Sequence, residues 1–154
     1  MAGNTEKTLA KLGIALPQAA APAANYVPFV ISGNLLFVSG QLPMENGKIA
    51  ISGTLGDSVS LEDGQKAARL CAINIIAQAK AALGDLDRVR RVVRLGGFVA
   101  SANGFTDQPR VVNGASDLMV AVFGDAGRHA RAAVGVNVLP LGAAVEIDAI
   151  IEFA

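Results

Sequence analysis

Arg131 is the residue whose type and setting carry the most chemistry in this sequence. It heads a segment in which Val134, Val136 and Val138 alternate with Ala133, Gly135 and Asn137. Side chains alternate faces along a strand, so one face is apolar and the other carries a guanidinium beside very small residues. A guanidinium is a rigid fork of donors that fits a carboxylate bidentately, and Ala133 and Gly135 leave room for one. The alternative is a solvated strand arginine, a common fate of the residue type.

Glu146 and Asp148 share one face of a following strand whose other face is Val145, Ile147, Ala149 and Ile151. A Pro140–Gly142 turn joins the two strands. If they formed a tight hairpin, Arg131 and Glu146 would lie at its opposite ends, able to meet only across a subunit boundary or through an irregular register. Acidic residues on such a face are usually just solvated. Tyr26, the single phenol, stands at a strand entry beside Asn25 and Pro28. Ser39-Gly40-Gln41 closes another strand, and Asn113 interrupts a helix for which asparagine is a poor former. His129, the sole imidazole, lies in a Gly-Arg-His loop with no Ser or Asp partner at a motif spacing, and reads as a surface residue. Cys71 falls on an apolar helical stripe and reads as a buried, inert thiol.

Composition narrows the classes. The chain has 154 residues, 52% hydrophobic and 17% charged, which excludes general disorder and suits one domain with a real core. Thirteen basic and thirteen acidic residues cancel, so the field that nucleic-acid binding needs is missing. One cysteine permits no internal disulfide, and one cysteine with one histidine cannot furnish an ordinary zinc site. No cofactor motif occurs. No segment reads as a signal core or a membrane span. A cytoplasmic protein is the expectation, with no nucleic-acid or membrane partner.

The elements that must position these residues follow from periodicity. Asn4 to Leu12 reads as a short helix and Pro17 to Ala24 as an extended Ala/Pro connector, so residues 1–21 form an extension on a single domain spanning 1–154. Strands are expected over Tyr26 to Ile31 and Leu35 to Ser39 as a hairpin, with a weak one near Lys48 to Ser52. Ser60 caps a helix that runs to Leu83 and stops at Gly84. Arg90 to Ser101 is a strand in which Gly96-Gly97 signals a bulge or a close backbone approach. A second helix runs from Thr106 or Asp107 to Phe123, with Pro109 in its first turn. Two long helices cover only one face of such a sheet. The other face calls for a cover, and a second subunit is the natural one.

With these residues assembled, the chain resembles the RidA/YjgF family of enamine/imine deaminases, also labelled endoribonuclease L-PSP. Three segments carry the resemblance: Gly33 to Pro43, containing Ser39-Gly40-Gln41; Val112-Asn113; and Ala130-Arg131 through Pro140 to Val145-Glu146-Ile147. The resemblance implies an α+β, chorismate-mutase-like fold with one mixed β-sheet and two long helices on one face. It also implies a homotrimer with a site in each cleft between subunits. By resemblance Arg131 grips a substrate carboxylate, Glu146 serves the catalytic water, and Tyr26, Ser39, Gly40, Asn113 and Ala133 line the cleft. Ala133 stands where many members carry cysteine, and Leu95-Gly96-Gly97 replaces more polar or branched residues of close relatives. The activity so implied is hydrolytic deamination of 2-aminoacrylate-type enamines and 2-imino acids to 2-keto acids and ammonia, without cofactor or metal. The rivals are a trimer that binds small carboxylates without turning them over, an endoribonuclease, and a chaperone-like role.

Overall fold

The computed structural model describes residues 2–22 and 24–154. Its longest helix, α2 (Leu61–Leu83), starts and stops on the expected signals: Ser60 Oγ accepts the backbone N–H of Asp63 at 3.1 Å, and Gly84 ends it with φ at +77°. Its stripe of Ala67, Cys71, Ile75 and Ala79 is fully buried. The second long helix, α3 (Gln108–Phe123), carries Pro109 in its first turn, where the missing N–H costs nothing.

Both helices lie on one face of a five-stranded sheet. Its strands are β1 (Phe29–Ser32), β2 (Leu35–Gln41), β5 (Val89–Ala100), β6 (Ala130–Val136) and β7 (Val145–Phe153), in the order β1-β2-β7-β5-β6. All neighbours are antiparallel except β5 and β6, which run parallel. A parallel connection needs a crossover, and α3 is that crossover. The expected first hairpin is β1-β2.

Two expectations are corrected, and one point that the sequence left open is settled. Met44–Glu45 (β3) and Lys48–Ile49 (β4) form a separate two-stranded ribbon, so the described residues hold two sheets rather than one. The first strand begins at Phe29, leaving Tyr26 in a bend before it. The last two strands are not a hairpin, because β5 lies between them. The sequence signal was a turn, Pro140–Gly142, but a turn that carries the chain over an intervening strand has the same composition as one that does not.

The core lies between helices and sheet. Val145, Ile147, Ala149 and Ile151 point into it, and Glu146, Asp148 and Ile150 point the other way. Gly96-Gly97 is a close approach and not a bulge: a Cβ on Gly97 would sit 2.7 Å from Val112 of α3. The helices also meet closely, since a Cβ on Gly114 of α3 would lie 2.1 Å from the carbonyl oxygen of Gln65 on α2. The face away from the helices carries Glu146, Asp148 and Arg94 and also exposes apolar side chains, with Val30, Phe37 and Val134 respectively 51%, 39% and 46% exposed in the single chain.

The helix of the extension, α1 (Asn4–Lys11), has no capping side chain of its own. Asp87, from the turn after α2, supplies it: its carboxylate accepts the N–H groups of Asn4 and Thr5, both at 2.8 Å. Those two backbone donors hold the Asp87 carboxyl below the usual carboxylate range. Lys80 of α2 pairs with Glu6 of α1. No helix among the described residues is long and apolar enough to cross a membrane.

Gly114 tests the packing. An alanine gains about 1 kcal/mol of helix propensity over glycine. A methyl driven against a backbone carbonyl, however, forces α2 and α3 apart, at about 1–3 kcal/mol or more. Gly114→Ala should therefore lower the thermal midpoint by several degrees; an unchanged or raised midpoint would refute the close crossing.

Candidate functional site

The seven residues singled out in the sequence fall into two groups on opposite faces of the sheet. Arg131, Ala133 and Asn113 lie on the helix side, at the β6 edge. Glu146, Gly40, Ser39 and Tyr26 lie at the other face and along the β2 end.

The first group is set by the β5-α3-β6 crossover. Arg131 pairs with Leu95 of β5 and extends under α3. Its Nη2 donates to the carbonyl oxygen of Pro109 and its Nη1 to Ser116 Oγ, each at 3.0 Å. Both partners are neutral. Among the described residues five ion pairs form, and none includes Arg131. A guanidinium has five N–H groups, so three remain after these two bonds. Arg131 lines an open depression of about 290 Å³ together with Asn113, Ser116 and His129. Ala133, the next residue on the Arg131 face, is half-buried against the core.

Ser116 and the pairing of His129 escape a reading of the sequence. Ser116 Oγ lies 2.9 Å from His129 Nε2, and His129 Nδ1 lies 2.6 Å from the carbonyl oxygen of Gly127. The half-buried His129 is thus held on both ring nitrogens and is not a free surface residue. Ser116 follows Asn113 by three residues and so shares its helix face, a spacing that was available as a signal. Its link to His129 was not, because the crossover alone makes them neighbours.

The second group is built on an irregularity. Val38 pairs with Ala149 and Gln41 with Ile147, so Ser39 and Gly40 together oppose Asp148, a β-bulge. The bulge turns Gly40 toward Glu146, so that a Cβ there would lie 2.8 Å from Glu146 Oε2. Only glycine lets the carboxylate sit so near the strand. Ser39 Oγ donates to the carbonyl oxygen of Val27 at 2.8 Å and Ser39 N to that of Pro28 at 2.9 Å, which ties the Tyr26 bend to the bulge. Tyr26 is half exposed and shares a cavity of about 100 Å³ with Gly40.

Two buried amides on α2, one turn apart, hold the walls of that cavity. Asn74 Nδ2 donates to the carbonyl oxygens of Leu42 and Met44, at 3.0 and 3.1 Å, and Gln78 Nε2 to that of Ala20 at 2.8 Å. The Ala/Pro connector, tied at Ala20, walls the cavity with Ala20, Ala21 and Pro22.

Glu146 is half-buried, and its carboxyl is raised above the ordinary glutamate range, first by burial and then by the nearby charge of Asp148. Asp148 stands 3.9 Å from Arg94, and only glycine at 96 leaves it room. Cys71 is buried as expected, and burial pushes its thiol well above the usual range. Arg131 and Glu146 cannot meet within one chain. They sit on opposite faces of the sheet with β5 between their strands, roughly 10 Å apart in the hydrogen-bonding direction alone.

Residues 6–152 match the family described as "YjgF/chorismate mutase-like, putative endoribonuclease". The chain is 56% identical over 151 residues to protein TCP17 of Trypanosoma cruzi, covering 97% of this chain and 94% of that one. Among solved structures it is similar to Atu1372 of Agrobacterium tumefaciens, a protein of unknown function. The identity is 59% and the TM-score 0.92, over 97% of this chain and 92% of that one. It is also similar to TdcF of E. coli, solved with bound serine, at 26% identity and a TM-score of 0.67, over 89% and 94% of the two chains. A mixed sheet backed by two helices and a match over nearly its whole length lead to one conclusion: the chain belongs to the YjgF/RidA family.

Proposed function

We propose that the protein hydrolyses 2-imino acids and their enamine tautomers to 2-keto acids and ammonia, at sites completed between the subunits of a homotrimer. The observation that carries this reading is the state of Arg131. Its guanidinium is held by two neutral acceptors, is paired with no carboxylate among the described residues, and opens on a depression. That is the condition of a group poised for a carboxylate supplied by a ligand. The serine bound to the related TdcF is a molecule of that kind.

The opposite-face placement of Glu146 supports the subunit boundary. A neighbour docked on the exposed apolar face would bring its Arg131 edge to this chain's Gly40 and Glu146, and would cover Val30, Phe37 and Val134. In such a cleft the arginine neutralises and orients the substrate carboxylate. Glu146 takes a proton from water as the oxygen bonds to the C=N carbon and passes it to the nitrogen; it then takes the hydroxyl proton of the resulting carbinolamine and gives it to the nitrogen as the C=O forms, the C–N bond breaks and ammonia leaves. A carboxyl raised toward neutrality suits both transfers. Only water is consumed. A ribonuclease reading has less support: the single imidazole is engaged on both nitrogens, and the net charge is zero.

Charge-assisted bonds contribute about 1.5–3 kcal/mol, so Arg131→Ala should lower kcat/KM for imine hydrolysis about tenfold to a hundredfold or more. Imines generated in situ by an amino-acid oxidase, with ammonia release as the readout, provide the assay. Unchanged hydrolysis would remove Arg131 from the reaction, and ligand binding without turnover would favour the non-catalytic alternative.

Mixing offers a direct check on the subunit boundary. Arg131→Ala and Glu146→Gln chains should each be nearly inactive alone. Randomly mixed trimers should regain roughly a quarter of wild-type activity, the share of clefts that receive both intact groups. No recovery on verified mixing would refute a shared site.

The pH profile follows from Glu146. Its ionised form is the base, and its carboxyl is raised, so kcat/KM should fall with decreasing pH from above the ordinary carboxylate range. Asp148→Asn removes the second cause while burial remains, and should move that acid limb to lower pH without abolishing it. A limb that stays in place would show that Glu146 does not govern it.

A further inference from the structure

The bonds around Arg131 continue beyond it in a chain whose direction is fixed at both ends. Arg131 Nη1 can only donate, and the Gly127 carbonyl can only accept. His129 Nδ1 must therefore carry a proton. In the neutral ring Nε2 is then an acceptor, and the Ser116 hydroxyl gives its hydrogen to it while receiving the arginine. In the protonated ring Nε2 is a donor. Ser116 Oγ then accepts from both His129 and Arg131, which its two lone pairs allow, and its own hydrogen is released toward the depression that Ser116 lines.

We infer that Ser116 is a third donor for the ligand carboxylate beside Arg131, made available when His129 takes up a proton. This inference rests on the carboxylate-binding role of Arg131 proposed above. No backbone movement is needed, because both states use the same three distances. The coupling is reciprocal: an anion in the depression favours the charged ring, and the charged ring favours the anion.

The groups that share this surroundings are few. Asp117 on α3 and Arg128 beside His129 also line the depression. Arg128 is drawn toward Asp125, at 3.4 Å, in the turn before it. Val120 and Asn113 complete the α3 side and carry no charge. Glu146 is the remaining titrating group of the proposed cleft, so the measurement belongs in a Glu146→Gln background.

The experiment is calorimetric titration of pyruvate, an unreactive carboxylate ionised throughout, into Glu146→Gln protein at about pH 5.5 and pH 8. Binding should be about tenfold tighter at the lower pH. Buffers of different ionisation enthalpy should show proton uptake on binding at intermediate pH. Adding His129→Gln, whose amide retains hydrogen-bonding capacity but does not titrate, should abolish both the uptake and the pH dependence while binding at pH 8 persists. Adding Ser116→Ala should abolish the tightening at low pH. Affinity that does not change with pH, or proton uptake that survives His129→Gln, would overturn the inference and leave the Arg131 reading intact. Pyruvate binding unaffected by Arg131→Ala would instead overturn the reading on which it rests.

Discussion

A strand sends successive side chains to opposite sides, and that rule governs everything chemical in this molecule. On β7 it buries Val145, Ile147, Ala149 and Ile151 under the helices and leaves Glu146 and Asp148 on the far face. On β6 it sends Arg131 and Ala133 toward α3. The sheet is one layer thick with a core on one side only, so a single chain cannot bring its guanidinium to its carboxylate. An apolar uncovered face and a divided set of polar groups are two results of the same alternation.

Much of this was legible in the sequence. α2 and α3 followed from periodicity, Ser60, Pro109 and Gly84, because caps and stops are local physics. The alternating valines around Arg131 gave the strand, but not the open space: Ala133 packs against the core, a Cβ on Gly135 would lie 2.8 Å from Gln108 Nε2, and the depression at Arg131 is lined by α3 and the loop before β6 instead. What composition could not give was pairing. A connection that returns beside its strand and one that steps over a neighbour use the same turn residues, so the position of β5 between β6 and β7 lay beyond local rules. The split of the candidate residues between two faces depends on that order.

The missed residues were missed for a related reason. Ser116 and His129 are joined by the parallel crossover, and Asn74 and Gln78 sit on a helix face that otherwise reads as apolar core. A buried amide is expensive unless each polar atom finds a partner. No buried side-chain nitrogen or oxygen among the described residues lacks one. The cap of α1 belongs to the same class, since Asp87 closes a helix end more than 80 residues away and no neighbouring residue announces it.

The two amides of α2 also decide how the Tyr26 cavity behaves mechanically. The connector that forms one lip and the β2–β3 corner that forms the other are fastened to the same rigid rod, a single turn apart. Both lips therefore take their position from the same helix face. The spacing of the two lips is thus set by the pitch of one helix rather than by the sheet beneath them.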